Sequence, residues 1–209
     1  KKLLLLPLIA ISFVVTAQTT TIPDANFEQA LITLGYDNVI DGEVLTTNIS
    51  GVTSLDVSAL NISDLTGIED FTALTYLACH NNQLTFLNVS QNTYLTFLDC
   101  YNNQLTELDL SKLVNLKDLY CNNNDLIELK GLDKLVKLEY LHCHNNKLTE
   151  LKGLDKLVNL EVLYCSINQL IELKGLDKLV NLERLNDEKY TQLGRITMII
   201  DKIEKMEKD

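Results

Sequence analysis

Residues 116–126 read Leu-Lys-Asp-Leu-Tyr-Cys-Asn-Asn-Asn-Asp-Leu. The pattern in this stretch is Leu-x-x-Leu-x-Cys-x-x-Asn-x-Leu, and full copies begin at Leu74, Leu95, Leu116, Leu138 and Leu160. Successive copies begin 21, 21, 22 and 22 residues apart. A weaker copy begins at Val52, and a broken copy at Leu182 has Asp187 and Tyr190 where the Cys and Asn should stand. A fixed period of this length predicts a solenoid of stacked coils.

The alternation in the first half of the pattern indicates one short strand in each coil. Its Leu and Cys residues should point inward, because successive strand residues face opposite sides. The strands of adjacent coils then stack in parallel, and only the stack buries the Leu face. The Asn ends the strand and its amide can bond backbone groups that the turn leaves unpaired. The predicted Asn ladder consists of Asn82, Asn103, Asn124, Asn146 and Asn168.

The return path of each coil carries Leu-x-x-Leu spacing, as at residues 176–179, which suits a short 3₁₀ or helical turn. We therefore predict an α/β repeat solenoid in the form of an arc or horseshoe. Its concave side is a parallel β-sheet, its convex side has short 3₁₀, helical or extended segments, and a helical cap covers each end.

The repeats resemble the short bacterial leucine-rich repeats of the internalins. Three phrases resemble secreted leucine-rich repeat proteins of Bacteroidota, namely IPDANFEQAL (22–31), LTGIEDFTAL (65–74) and NNQLTELDLS (102–111). The segment KGLDKLV, present at 130–136, 152–158 and 174–180, is more similar to the phosphatase-regulating type. The resemblance covers about residues 20–186. It implies the fold and a binding role, but no particular ligand.

The N-terminal residues have the pattern of an export signal. Lys1 and Lys2 precede an apolar run, and Val15-Thr16-Ala17 supplies residues of the kind a signal peptidase reads. We predict a signal peptide at 1–17 and a secreted or cell-surface protein that begins at Gln18. The alternative is an uncleaved membrane anchor, for which the run is short.

Three further parts follow the signal peptide. Residues 18–51 are the predicted N-terminal cap, in which Asp24 begins a helix that ends at Gly35. Residues 52–186 hold six to seven coils of 21–22 residues. Residues 187–209 space apolar residues at helical intervals and are the predicted C-terminal capping helix. A partner-binding or membrane-surface helix is the alternative there, but its polar face is mixed rather than basic.

The charge of the chain limits its partners. The formal net charge is -11, from 18 Lys and Arg against 29 Asp and Glu. Such a surface repels phosphate backbones and anionic membrane surfaces. We expect a protein partner of unknown identity, with a polysaccharide as the alternative. Nucleic acid binding and membrane insertion are not expected, and the chain is expected to be a monomer.

All five cysteines occupy one position of the repeat: Cys79, Cys100, Cys121, Cys143 and Cys165. Each replaces an inward Leu and should act as a small buried hydrophobe. In-register parallel strands hold Cβ atoms about 4.8 Å apart, outside the favoured disulfide range of about 3.5–4.5 Å. We therefore predict buried thiols that form no disulfides.

The outward strand positions are the candidate binding site. Aromatic residues fill six of the fifteen positions in the five full coils, against 6% of the chain. Exposed aromatic residues on a rigid sheet are typical of protein interfaces and of sugar-stacking platforms. The alternative is cross-strand packing that only stabilises the sheet. The predicted ligand-binding residues are Tyr76, His80, Phe97, Asp99, Tyr101, Asp118, Tyr120, Asn122, Tyr140, His142, His144 and Tyr164.

The sequence favours a binding module over an enzyme. It contains no Gly-rich phosphate loop and no nucleophile elbow. His142 and His144 have the spacing of two zinc ligands but lack a good third ligand. Asp99 and Asp118 could be imagined as paired carboxylates for glycoside cleavage, but nothing is expected to raise one pKa. We expect no catalytic residue, no metal and no cofactor. Besides protein binding, carbohydrate binding and a spacer role in an envelope assembly stay open.

Overall fold

A computed structural model describes residues 17–186 of the chain. Seven three-residue strands form one parallel sheet in chain order. They are β3 (Ser54–Asp56), β4 (Tyr76–Ala78), β5 (Phe97–Asp99), β6 (Asp118–Tyr120), β7 (Tyr140–His142), β8 (Val162–Tyr164) and β9 (Arg184–Asn186). The predicted parallel solenoid is confirmed. The predicted signal peptide, apart from Ala17, and the predicted helix at 187–209 lie outside the described residues.

The strands pair in register, so each repeat position forms a column across the sheet. The central Leu of every strand is buried, from Leu55 in β3 to Leu185 in β9. The Leu residues of the return paths pack against the same core, which runs without a break from Ile22 to Leu185. Each coil therefore buries its apolar face only because another coil lies against it.

The repeat Asn side chains point into the solenoid and join adjacent coils. The side-chain Oδ1 of Asn124 accepts a hydrogen bond from the backbone N–H of Leu105, one coil earlier, at 3.0 Å. Its Nδ2 donates to the carbonyl of Cys121 in its own coil and to that of Cys100 in the preceding coil. One amide thus satisfies three backbone groups that the turns leave without partners.

The convex side takes two forms, and coil length separates them. Coils of 22 residues contain a short 3₁₀ helix at Ile68–Asp70, Leu132–Lys134, Leu154–Lys156 or Leu176–Lys178. The two 21-residue coils between β4 and β6 have turns there instead. Each 3₁₀ helix follows a left-handed glycine, such as Gly153 with φ 90°. A Cβ atom at Gly153 would lie 2.4 Å from the Cβ of Asp133, so only glycine fits between these coils.

The N-terminal part contains a two-stranded antiparallel sheet and two helices. The helix α1 (Ala25–Thr33) begins after Asp24, whose carboxylate accepts from the backbone N–H groups of Asn26 and Phe27. The sequence predicted this helix and its stop at Gly35, but it missed the antiparallel pairing of β1 (Thr19–Thr21) with β2 (Glu43–Leu45). The short helix α2 (Thr46–Ile49) leads into the first coil. Asp24 also accepts from the Ser63 hydroxyl at 2.8 Å, which ties this part to the solenoid.

The five Cys side chains form a buried column beside the central Leu column. All five are buried, and none forms a disulfide in the described part of the chain. Burial raises the pKa of the Cys100 thiol, and it raises those of Cys79 and Cys121 in the same way. The thiols of Cys79, Cys100 and Cys121 therefore stay protonated, and all five side chains act as apolar filling inside the solenoid.

Candidate functional site

The concave face is built from three columns of outward side chains. The alternation within each strand directs its first and third residues away from the core. The residue two positions beyond the strand continues the same face. Across β3 to β8, the columns are Ser54, Tyr76, Phe97, Asp118, Tyr140 and Val162; then Asp56, Ala78, Asp99, Tyr120, His142 and Tyr164; then Ser58, His80, Tyr101, Asn122, His144 and Ser166.

The predicted site residues lie together on this face, but not all of them are accessible. Tyr76 is the most open of the predicted rings, with 36% of its surface exposed. Asn122 retains only 9% exposure, because its column places it between Tyr101 and His144. Ala78 and Val162, which alternation also predicts to face outward, are 2% and 6% exposed because they are shorter than their neighbours. Asn122, Ala78 and Val162 therefore lie beneath the accessible surface of this face and offer little area for contact.

Five rings make a continuous track from β4 to β8. Tyr76 and Phe97 stack with centroids 4.4 Å apart and planes 9° apart. Phe97 contacts Tyr120 at 5.5 Å, and Tyr120 meets the edge of His142 at 4.6 Å. His142 contacts Tyr164 at 4.5 Å. The track crosses from the first column to the second between Phe97 and Tyr120, so it runs diagonally over the sheet.

A second ring pair lies at the far end of the strands. His80 and Tyr101 stack with centroids 4.5 Å apart. The side-chain amide of Asn81 donates to the Tyr101 hydroxyl at 3.0 Å and also bonds Nδ1 of His80. Ring contacts and hydrogen bonds therefore fix these side chains before any ligand arrives.

Carboxylates line the ring track. Desolvation raises the pKa of Asp99 and the pKa of Asp118, since both are partly buried. Desolvation also raises the pKa of Tyr120, and the charges of Asp118 and Asp99 raise it further. The expectation that nothing would raise a carboxyl pKa on this open surface is therefore wrong, because the tall neighbouring rings exclude water. The side chains of Asp99 and Asp118 are therefore partly desolvated carboxyl groups on a face that also carries aromatic rings.

The acidic border of the face was missed by the sequence reasoning. Glu139 and Glu161 come directly before β7 and β8, and the Tyr140 hydroxyl donates to Glu161 at 3.1 Å. Lys117, directly before β6, forms a 2.7 Å ion pair with Glu139. The signal was available, because Lys117, Glu139, Glu161 and Glu183 occupy one repeat position. This position lies directly before each strand. Alternation within the strand does not assign it to the concave face, so it was not among the predicted site residues.

The side chains of His142 and His144 are partly buried. Their ring centroids lie 6.3 Å apart. Desolvation lowers the pKa of His142, with the charge of His144 as a second cause, and desolvation lowers the pKa of His144. Within residues 17–186, no group of three or more His, Cys, Asp or Glu side chains is arranged to hold a metal ion.

Two depressions lie on the return segments, away from the sheet. One of about 490 Å³ lies between Thr149 and Gly175, and one of about 380 Å³ is lined by Phe86 and Lys130. They contain none of the predicted site residues. No helix in the described part of the chain is long and apolar enough to span a lipid bilayer.

Comparison with known proteins agrees with this architecture. Residues 114–156 match the family model of leucine-rich repeats in two copies. The functional domain of InlJ from Listeria monocytogenes, described as including a cysteine ladder, superposes with a TM-score of 0.74 at 33% identity. The fold is a leucine-rich-repeat solenoid.

The leucine-rich repeats have internalin-like relatives. Internalin J of Listeria monocytogenes is 37% identical over 71 residues, which are 34% of this chain and 8% of that protein. The InlJ structure covers 82% of this chain, and the chain covers 38% of it. A Leptospira interrogans leucine-rich-repeat protein superposes with a TM-score of 0.59 at 28% identity, over 65% of this chain and 37% of its own. The chain thus spans much less than half the length of these relatives.

Proposed function

We propose that this chain is a protein-binding module that uses the concave face of its leucine-rich-repeat sheet. The observation that carries the proposal is the continuous track of five rings from Tyr76 to Tyr164. Aromatic side chains are enriched at protein interfaces, where they bury a large area and lose little conformational entropy. Here the rings already hold one another, so a partner orders few side chains on binding.

The same ring contacts favour a protein partner over a polysaccharide. A sugar-binding platform presents ring faces to the pyranose. On this surface, five of the six outward aromatic residues contact another ring, and the near-parallel pairs Tyr76–Phe97 and His80–Tyr101 cover each other's faces. The ring edges and the Tyr hydroxyls are left for contact. Such a mixed apolar and polar surface suits a folded protein or peptide.

Opposite faces of the solenoid provide the test. The variant Tyr120→Ala with His142→Ala removes the centre of the track, where interface energy concentrates. It should weaken binding by about 2 kcal/mol or more. The control Lys134→Ala with Lys156→Ala alters the convex 3₁₀ helices, where each Lys forms an ion pair with the adjacent Asp. The measurement is a calorimetric titration of each variant against the protein that wild-type chain recovers from its natural medium.

The denaturant midpoint of each variant is measured alongside, because loss of folding would also abolish binding. Loss of binding in the convex variant, with binding retained in the concave variant, would place the function on the opposite face.

We further propose that the protein acts outside the cell, either secreted or held at the cell surface. The support is the sequence of residues 1–17, together with the internalin-like relatives. Mass spectrometry of the exported protein should find Gln18 at its N-terminus. An intact mature protein that retains residues 1–17 would contradict this.

A further inference from the structure

Rings and carboxylates alternate like a checkerboard at the middle of the concave face. Phe97 in β5 lies in register with Asp118 in β6, and Asp99 in β5 lies in register with Tyr120 in β6. Each ring therefore has a carboxylate as its neighbour, both along its own strand and on the adjacent strand. The contact between Phe97 and Tyr120 forms one diagonal of this square, with the two acids on the other diagonal.

The concave columns hold no permanent positive charge between β3 and β8. None of their eighteen outward positions is Lys or Arg, although the chain has 18 of these residues. The nearest Lys in sequence, Lys117, precedes β6 and forms an ion pair with Glu139. With Asp56, Asp99 and Asp118 on the face and Glu161 at its border, this part of the surface carries a net negative charge.

In the described part of the chain, neither acid of the square is directly paired with a cation, although the charge of Lys117 acts on Asp118 and that of His80 on Asp99. Among residues 17–186, neither Asp99 nor Asp118 takes part in an ion pair. Both side chains are partly buried. A partly desolvated carboxylate without a cation is costly to the folded chain. A positively charged group placed there would offset this cost, and the free molecule contains no such group in the square.

We infer that the concave face recognises a basic polypeptide segment and seats a Lys or Arg side chain between Asp99 and Asp118. This inference rests on the proposed protein-binding function and deepens it. The carbon stem of the incoming side chain packs on Phe97 and Tyr120, and the charged head lies between the carboxylates. Neutral polysaccharide lacks the charge, so it would leave both carboxylates uncompensated.

The direct test uses a defined peptide in place of the natural partner. Acetylated and amidated hexa-arginine is titrated against the wild-type chain and against Asp99→Asn with Asp118→Asn, at physiological ionic strength. The variant should bind about tenfold more weakly or worse, because close charge pairs across an interface are strongly coupled. Both substitutions keep the side-chain size, and their effect on folding is checked by the denaturant midpoint.

A matched control separates this site from the overall acidity of the chain. Glu107→Gln with Glu150→Gln removes the same two charges from exposed positions on the return segments. This variant should bind the peptide within about twofold of wild type, because exposed charges are screened by salt. Equal losses in the two double variants would overturn the inference, since the peptide would then sense only net charge.

Amide chemical shifts locate the bound peptide and tell the two proposals apart. Shifts on β4 to β7 that do not depend on Asp99 and Asp118 would overturn the cation site alone, and the binding face would stand. Shifts confined to the convex segments would overturn both. Binding of neutral N-acetylchitohexaose that survives Asp99→Asn with Asp118→Asn but is lost in Tyr120→Ala would also overturn the inference, in favour of a glycan.

Discussion

Asn145 donates a hydrogen bond from its side-chain Nδ2 to Oδ1 of Asn123, one coil earlier, at 2.8 Å. Asn102 makes the same bond to Asn81 at 2.6 Å. All four residues have left-handed backbone, with φ between 54° and 56°, which Asn tolerates better than most residues. This second, outer set of Asn residues stops at Ile167, which keeps φ 53° but brings a β-branched side chain.

Replacing that isoleucine should stabilise the protein. Ile167→Asn removes a β-branched residue from the left-handed region and should raise the free energy of unfolding by about 1 kcal/mol. Ile167 is 56% exposed, so little apolar burial is lost. Urea denaturation measures the change. The reverse substitution, Asn145→Ile, should lower stability, and a stabilised Asn145→Ile variant would contradict the argument.

The inner Asn ladder should be more costly to disturb. Asn124→Ala leaves the N–H of Leu105 and the carbonyls of Cys100 and Cys121 without their side-chain partner. The free energy of unfolding should fall by about 1–3 kcal/mol. The control is Asn159→Ala, whose amide donates to the Val136 carbonyl at an exposed position, and it should cost about 0.5 kcal/mol or less. Equal midpoints for the two variants would refute the difference.

The five cysteines should react with alkylating reagents only slowly until the chain unfolds. Denatured, unreduced protein should take up alkylating reagent at all five cysteines, because the buried column contains no disulfide. Native protein should react slowly, because burial both shields the thiols and raises their pKa. Intact mass before and after alkylation gives the count. Only one or three labelled cysteines after denaturation would reveal disulfides.

Stability should fall as pH drops below the usual histidine range. Desolvation lowers the pKa of His142 and His144, so the unfolded chain binds protons more readily than the folded chain. The stability that this supplies is complete above about pH 6.5 and is lost as pH falls through the folded pKa values. Nδ1 of His144 is shielded and has no hydrogen-bond partner within the described residues, which also disfavours the imidazolium.

The double variant His142→Gln with His144→Gln isolates this effect. Its free energy of unfolding should fall less than that of wild type between pH 7.5 and 5.5. Parallel pH profiles would show that the two rings are as solvated in the folded chain as in the unfolded chain.

The repeat spacing of the sequence was sufficient to predict most of the fold. The spacing of the Leu, Cys and Asn positions predicted the parallel sheet, and it did so because each repeat position has one environment in every coil. The convex side was less determined, since the sequence reasoning left 3₁₀, helical and extended forms open. In the structure, coils of 22 residues form a 3₁₀ helix on the convex side, whereas coils of 21 residues form turns. A left-handed glycine such as Gly131 precedes each 3₁₀ helix. The antiparallel pairing of β1 with β2 was missed, because these strands are three residues long and lie far apart in sequence.

Alternation also placed the candidate site on one face, but it could not show which residues reach the surface. Ala78 and Val162 are buried because larger side chains on adjacent strands extend over them. How far those side chains extend depends on their conformations across three strands. The stacking of Tyr76 on Phe97 depends on the same conformations. The border formed by Glu139 and Glu161 lies just outside the strands, where alternation makes no assignment.

The absence of disulfides among the five stacked cysteines decides how the solenoid would respond to tension. No covalent link joins one coil to the next in the described part of the chain, and each coil is held only by its neighbours. A load applied along the chain would therefore peel coils from the end in succession. Each released coil of 22 residues, as from Tyr140 to Val162, lengthens the chain by roughly 70–80 Å. The solenoid would then yield stepwise under load, one coil at a time.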